Sequence, residues 1–288
     1  ALAKLVYQLT QNVDWKAYEG MILMNHGVFT FSNDARESYD RMINLVNKAE
    51  EYLHNKNATR TAIAEGKPSV LELALIRRNV SEIRGLPIIA QCDRSPEAVG
   101  YSNLPDLPSF AAQGPLTPDH SIFAKRIPAI LDGDPLQALD SYATDYRAYF
   151  ERNASEGLTC LDQAPRWAIW PGHGILSFGL NAKNASVIGD IAINTSQVVQ
   201  MSQALGGWVP LCESDVFEVE YWELEQAKLK SNKGSAPLQG QIALVTQAAS
   251  KLGVTTVHTL LAQGAAVIAL DRDPKIVSAF NSPACLAL

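Results

Sequence analysis

A short run of apolar, branched and aromatic residues, interrupted by a His-Gly pair, stands near the start of the chain at Ile22–Phe31. This pattern is typical of a buried strand, a tight turn and a returning strand, so His26 is expected at a strand end. Polar cap residues follow, and apolar residues then recur every three or four positions as far as Leu53. The sequence therefore predicts a hairpin and an amphipathic helix.

The same pattern returns later in the chain, around a second His-Gly pair at His173. A cap residue and a helical pattern follow this pair, as they follow His26. Internal self-similarity of this kind indicates a repeated structural unit. We therefore expect two related strand-turn-strand-helix units, the first within residues 1–87 and the second within residues 88–229.

One helix of the second unit has a clear start and a clear buried face. Asp134-Pro135 combines a cap residue with a proline at the first helical position, which is a favoured helix start. Tyr142, Tyr146 and Tyr149 then line one face at helical spacing. Large rings bury the most surface, so we interpret this aromatic stripe as core.

Two groups of polar residues in the second unit are candidates for chemistry. Asp119, His120 and Lys125 follow a stretch rich in proline and glycine, and loops often carry binding residues. Four carboxylates lie in a later segment that alternates apolar and acidic residues: Glu218, Glu220, Glu223 and Glu225. We interpret these carboxylates as a solvated face, with acid-base chemistry as the alternative.

The pattern changes after residues 230–237, which are polar and predict a flexible linker. In residues 238–288 an apolar run, a turn, a helical pattern, a second apolar run and Asp271 follow one another. This order is typical of the first part of a dinucleotide-binding fold. There the helix N-terminus binds pyrophosphate and the acid binds the ribose hydroxyls, so Asp271 favours NAD over NADP.

Composition narrows the classes of protein further. The 288 residues are 47% hydrophobic and 19% charged, as in ordinary globular proteins. A net charge of -6 argues against a nucleic-acid partner, since phosphate binding needs a basic surface. Four scattered cysteines without a CxxC motif fit a reducing, cytoplasmic compartment. No apolar run approaches the roughly 18 residues of a membrane helix, so no membrane association is expected.

The segment around His26 resembles the class II aldolase and adducin family. Further segments resemble the bifunctional rhamnulose-1-phosphate aldolase and short-chain dehydrogenase fusions: Gly114–His120, Leu161–Arg166, Pro171-Gly172 and Phe217–Lys228. The resemblance implies zinc-dependent cleavage of rhamnulose 1-phosphate to dihydroxyacetone phosphate and lactaldehyde, with His26 as a zinc ligand. It also implies oxidation of lactaldehyde with NAD, with Gly253 as the last glycine of the nucleotide-binding turn. The implied fold is α/β, an aldolase-like region followed by the opening β-α-β of a Rossmann domain.

The chain departs from these families at several positions. It contains no His-x-His, which supplies the other two zinc ligands of the aldolases, and Phe123 replaces an arginine of the fusions. Gln247 and Lys251 stand where short-chain dehydrogenases carry the first two glycines of the turn. The alternative is therefore a noncatalytic, adducin-like binding or scaffold protein. The first residue is Ala1, and together with the family resemblance this leads us to expect a fragment of a longer polypeptide. The resemblance also implies a small phosphorylated sugar or aldehyde substrate and a homo-oligomeric state.

Overall fold

The computed structural model describes residues 2–63, 70–230 and 236–288, so most of the predicted linker, 231–235, lies outside the described residues. Two compact units are formed by Ala1–Thr59 and Arg60–Leu288, and from here on these are called the first and the second unit. The helices are α1 (Leu2–Leu9), α2 (Ala35–Asn55), α3 (Val70–Arg84), α4 (Pro96–Ser102), α5 (Leu107–Ala111), α6 (Pro118–Ala124), α7 (Pro135–Asn153), α8 (Ala182–Ala204), α9 (Glu213–Glu220), α10 (Glu223–Lys230) and α11 (Lys251–Ala262). The strands are β1 (Gly20–Leu23), β2 (Gly27–Thr30), β3 (Ile89–Asp93), β4 (Ala129–Ile130), β5 (Trp167–Trp170), β6 (Gly174–Gly179), β7 (Ile242–Thr246), β8 (Ala266–Leu270) and β9 (Cys285–Ala287). Among the described residues, no helix combines the length and the apolar character needed to cross a membrane.

The first unit contains the predicted hairpin and helix. Strands β1 and β2 pair antiparallel with Leu23 opposite Gly27, and the backbone N–H of His26 donates to the Leu23 carbonyl at 3.1 Å. Helix α2 begins after Asp34, whose carboxylate accepts from the Glu37 backbone N–H at 2.9 Å. This side-chain cap satisfies a donor that the first turn of a helix leaves free. Both predictions are confirmed.

The predicted burial of the first strand is wrong. Ile22 in β1 is 68% exposed, and Phe29 in the returning strand β2 is 43% exposed. Helix α2 packs against β2, where the Thr30 hydroxyl donates to the Ser38 carbonyl at 2.8 Å. Within the described residues of this unit the sheet has two strands, so α2 covers part of the hairpin and leaves the rest in contact with solvent.

The second unit repeats the hairpin inside a larger sheet. Strands β5 and β6 pair antiparallel with Trp170 opposite Gly174, and the backbone N–H of His173 donates to the Trp170 carbonyl at 2.9 Å. Asn181 caps α8 as Asp34 caps α2. The sheet order is β3-β6-β5-β4, and apolar clusters cover both of its faces. The predicted repeat of the backbone pattern is therefore confirmed, but here both strands are fully buried.

The aromatic stripe is core, as predicted. Asp134 caps α7 through the backbone N–H of Leu136 at 2.9 Å. Tyr142, Tyr146 and Tyr149 are buried against α9 and the sheet. The segment that alternates apolar and acidic residues belongs to α9 and therefore follows helical periodicity.

The C-terminal segment forms a parallel sheet in the order β7-β8-β9, with α11 connecting β7 to β8. This arrangement confirms the predicted β-α-β order and the mixed α/β class, while its assignment to the short-chain dehydrogenases stays a prediction. Arg77 on α3 holds this segment, because its guanidinium donates to the carbonyls of Ile88 at 2.8 Å and Gly240 at 2.9 Å.

Gly253 is required for the packing of α11 onto the turn after β7, and this requirement can be tested. A Cβ at this position would lie 2.2 Å from the carbonyl oxygen of Gln247 and 2.7 Å from the Cα of Ala248. We expect Gly253→Ala to lower the free energy of unfolding in urea by about 1–3 kcal/mol, although alanine is the better helix former. The neighbouring change Leu252→Ala, at a 78% exposed position, should stay within about 0.5 kcal/mol of the parent. Equal losses in the two variants would contradict this account of the glycine.

Candidate functional site

The turn between β7 and α11 contains a left-handed backbone step and leads into a capped helix. Gln247 adopts φ +55°, a left-handed conformation that glycine adopts without strain and that costs other residues about 1–2 kcal/mol. Ser250 then caps α11, since its Oγ accepts from the Gly253 backbone N–H at 3.0 Å. Gln247 and Lys251 are both exposed. The turn thus keeps the left-handed step although two of the expected glycines are replaced.

Asp271 lies at the carboxyl end of β8 and is tied to the same turn. Its carboxylate accepts from the backbone N–H groups of Asp273 at 3.0 Å and Ala249 at 2.9 Å. These two hydrogen bonds lower the pKa of Asp271, so the group is ionised at neutral pH. Each oxygen keeps a further lone pair for another donor. The structure therefore brings Asp271 and Gly253 together at the edge where open α/β sheets bind their ligands.

His26 belongs to the first unit and lies in an exposed turn, where its ring stacks on Phe29 with 5.9 Å between centroids. The other two notable histidines, His120 and His173, are half-buried, and each has a buried Nδ1 without a hydrogen-bond partner in the described structure. Residues 2–63, 70–230 and 236–288 contain no group of three or more His, Cys, Asp or Glu side chains placed to hold a metal ion. The described residues therefore do not fit a complete zinc centre.

A buried carboxylate in the second unit was missed by the sequence interpretation. Glu220, at the end of α9, is 1% exposed. The hydroxyls of Tyr146 and Tyr149 donate to its two oxygens at 2.8 and 3.0 Å, and the Tyr146 hydroxyl also lies 3.0 Å from that of Tyr221. The interpretation as a solvated face is thus wrong for Glu220, because helical periodicity turns it inward toward α7. It holds for Glu218, which is exposed.

Of the remaining two carboxylates in this run, Glu223 is exposed, and the side chain of Glu225 lies outside the described part of the chain.

Lys125 joins this cluster from the end of α6. It is 3% exposed and adopts φ +62°, a strained conformation of the kind found at functional sites. Its Nζ lies 3.4 Å from the centroid of the Tyr146 ring and donates to the backbone carbonyl of Asp162. The Asp162 carboxylate in turn accepts from both Nη atoms of Arg166, at 2.7 and 2.6 Å. Among the sequence candidates Asp119, His120 and Lys125, Lys125 therefore belongs to a polar network.

Burial dominates the electrostatics of this cluster. It lowers the pKa of Lys125 well below its usual range, and Arg166 adds to the effect. Burial also raises the pKa of Glu220, against the opposing influence of Lys125 and the tyrosine hydroxyls. The pKa of Asp162 is raised by burial, but the hydrogen bonds and charge of Arg166 outweigh this and hold it well below its usual range. Burial and the like charge of Arg166 lower the pKa of Arg84 to about 9, and its Nη1 is buried without a hydrogen-bond partner in the described structure.

The network predicts a strong effect of an isosteric change at Glu220. Glu220→Gln places an amide donor against a tyrosine hydroxyl that now donates, so we expect the free energy of unfolding in urea to fall by about 1–3 kcal/mol. Glu218→Gln, two residues earlier and exposed, is the matched control and should change it by less than about 0.5 kcal/mol. A Glu220→Gln protein as stable as this control would show that the network contributes little.

Comparison with known proteins identifies the family of the chain. Residues 68–229 match the family described as aldolase class II, second domain. The chain is also similar to an uncharacterized oxidoreductase, YuxG, of Bacillus subtilis (strain 168), with 26% identity over 277 residues. That similarity covers 88% of this chain but 40% of the relative, so the chain spans less than half of the relative's length. No solved structure matches significantly. Because the family match extends over more than half of the sequence, the chain belongs to the class II aldolase family, in the part described as its second domain.

Proposed function

We propose that the chain is part of a bifunctional enzyme of deoxysugar catabolism. The enzyme would cleave rhamnulose 1-phosphate to dihydroxyacetone phosphate and lactaldehyde with zinc, and would oxidise lactaldehyde with NAD. The class II aldolase family and the similarity to a protein named as an oxidoreductase support the two general activities. The observation that carries the proposal is the placement of Asp271 and Gly253 at the carboxyl edge of a parallel sheet, in a chain that also contains an aldolase second domain.

The residues at this edge fit an NAD molecule. Gly253 lets the start of α11 approach the turn closely, so the backbone N–H groups of the first helical turn can face a pyrophosphate. The ionised Asp271 carboxylate would accept hydrogen bonds from the ribose hydroxyls and would repel the additional phosphate of NADP. Lys251, exposed at the start of α11, adds a positive charge beside the proposed pyrophosphate position. When bound, NAD would supply a hydride acceptor.

For the aldolase activity, the described residues supply at most part of a metal centre. We propose His26 as one zinc ligand, since it occupies the turn position that carries a ligand in the aldolases it resembles. The described residues do not supply two further ligands, so we assign no step of the cleavage to them. A homo-oligomer and a cytoplasmic location belong to the same proposal, as does a small phosphorylated sugar or aldehyde as substrate.

A second candidate function is a noncatalytic, adducin-like binding or scaffold role. The absence of a complete set of metal ligands among the described residues favours it. The C-terminal β-α-β segment favours the enzyme. A scaffold role does not require an ionised acid and a close glycine contact at the carboxyl edge of a parallel sheet, whereas nucleotide binding does. NAD binding separates the two candidates.

The nucleotide proposal predicts saturable binding of NAD to the purified chain in a calorimetric titration, tighter than binding of NADP. Asp271→Asn should weaken NAD binding by about tenfold or more, because hydrogen bonds to a charged acceptor are lost. Gln247→Gly should tighten it, because the change removes both a side chain and the backbone strain at φ +55°.

Asp273→Asn is the control for these titrations, since it changes a nearby carboxylate that accepts from the Lys275 backbone N–H. Its NAD affinity should match that of the parent. Circular dichroism checks that each variant is folded. No saturable binding of NAD to the folded parent chain would refute the dehydrogenase half of the proposal and favour a scaffold.

The incomplete metal site predicts well below one equivalent of zinc in the purified chain by elemental analysis. His26→Ala should leave that content unchanged, and so should His54→Ala, which removes another exposed histidine of the first unit. Stoichiometric zinc that disappears only in His26→Ala would contradict this expectation and would mean that His26 finds further ligands elsewhere.

A further inference from the structure

A cavity of about 250 Å³ lies between α7 and the segment that leads from Arg126 into β4. Its lining includes Ala138, Tyr142, Tyr146 and Tyr149 on the α7 side. This volume lies just below the range of about 300–1,000 Å³ that is typical of ligand pockets, so it suits only a small molecule. All residues that line it belong to the unit Arg60–Leu288, and Asp271 and Gly253 of the proposed nucleotide site are not among them.

Arg126 is the cation of this cavity. Its Nη2 forms an ion pair with Glu213 Oε2 at 3.6 Å, which is too long for a hydrogen bond, and within the described residues its side chain makes no hydrogen bond. Glu213 is instead satisfied by Arg152 at 3.1 Å and by Asn153 at 2.9 Å. The Arg126 guanidinium lies over the Tyr149 ring, with 5.1 Å from Cζ to the centroid. A planar donor thus remains available beside an aromatic wall.

The tyrosines contribute ring surface to the cavity, because their hydroxyls are already engaged. The hydroxyls of Tyr146 and Tyr149 donate to Glu220, and that of Tyr142 donates to the Ile127 carbonyl at 3.2 Å. Aliphatic side chains complete most of the remaining wall. A ligand that fits this lining has an apolar body.

The charged side chains of the lining further restrict the chemical class of the ligand. A guanidinium pairs with a carboxylate through two parallel hydrogen bonds. Asp145, which also lines the cavity, is exposed and disfavours a ligand with two or more negative charges. From these observations we propose that the cavity binds a small organic monocarboxylate, with its carboxylate on Arg126 and its apolar body between the tyrosine rings and the aliphatic wall.

A series of straight-chain acids tests this proposal by calorimetric titration of the full chain. Acetate, butanoate and hexanoate share the carboxylate and differ in apolar length, so affinity should rise about fourfold for each added methylene that the cavity buries. Inorganic phosphate, which lacks an apolar body, should bind more weakly than hexanoate. Benzoate should bind at least as tightly as butanoate, because a ring can stack between aromatic walls.

Two substitutions separate charge from shape. Arg126→Met should weaken hexanoate binding by about tenfold or more, since it removes the charged donor but keeps most of the apolar stem. Arg78→Met is the control, because Arg78 forms an exposed ion pair with Glu82 and does not line the cavity, and it should leave the affinity unchanged. Ala138→Leu should abolish binding by filling the cavity while Arg126 remains. Thermal unfolding reports whether each variant is folded, and Arg126→Lys provides a milder change if Arg126→Met unfolds.

Several results would overturn the proposal. These are affinity that does not depend on chain length, phosphate binding tighter than hexanoate binding, and equal hexanoate affinity in the parent and Arg126→Met. Failure of every acid to bind saturably to the folded parent chain would overturn it as well. The nucleotide site is not involved in this titration, so its outcome is independent of NAD binding.

Discussion

The second unit depends on the burial of one carboxylate among tyrosine hydroxyls. A carboxylate removed from water costs several kcal/mol unless donors and opposite charges compensate it. Glu220 receives two hydroxyl donors from α7, while Lys125 and Arg166 lie close enough to influence its charge. Because the carboxylate is on α9 and the tyrosines are on α7, their hydrogen bonds fix one helix against the other. Lys125 extends the constraint to the segment before β5 through the Asp162 carbonyl.

The two His-Gly hairpins show that one backbone pattern can provide two chemical environments. The residue before each histidine is left-handed, at Asn25 with φ +55° and at Gly172 with φ +78°, and the histidine N–H closes the same turn in both. The surroundings differ. His26 is exposed on a two-stranded sheet, whereas His173 packs on Trp170 with 4.1 Å between ring centroids. Turn geometry is set locally, but the accessibility of an imidazole depends on tertiary packing, so a role at one histidine does not transfer to the other.

Local patterns predicted the hairpins, α7 and the C-terminal β-α-β order, because caps, periodicity and turn residues act over a few positions. The buried cluster depends on contacts between distant residues, such as Lys125 with Asp162, and no local rule gives them. One signal for Glu220 was present. Val216, Phe217, Glu220 and Tyr221 have the spacing of one helix face, and an acid within such an apolar face indicates a buried carboxylate. The alternation of apolar and acidic residues over the same segment concealed that face.

The turn between β7 and α11 separates three requirements that the glycines of a nucleotide-binding turn usually meet together. The first is a left-handed backbone, which Gln247 adopts at a cost in strain. The second is close contact between helix and turn, which Gly253 permits because it has no Cβ. The third is an open approach to the helix N-terminus, which in this chain depends on the exposed side chains of Gln247 and Lys251. Both side chains are long and rotatable, and the lysine carries a charge opposite to that of the pyrophosphate that we propose as ligand. The two replaced glycines would therefore act on the proposed binding through side-chain placement, while the backbone that α11, Ser250 and Asp271 hold in place is retained.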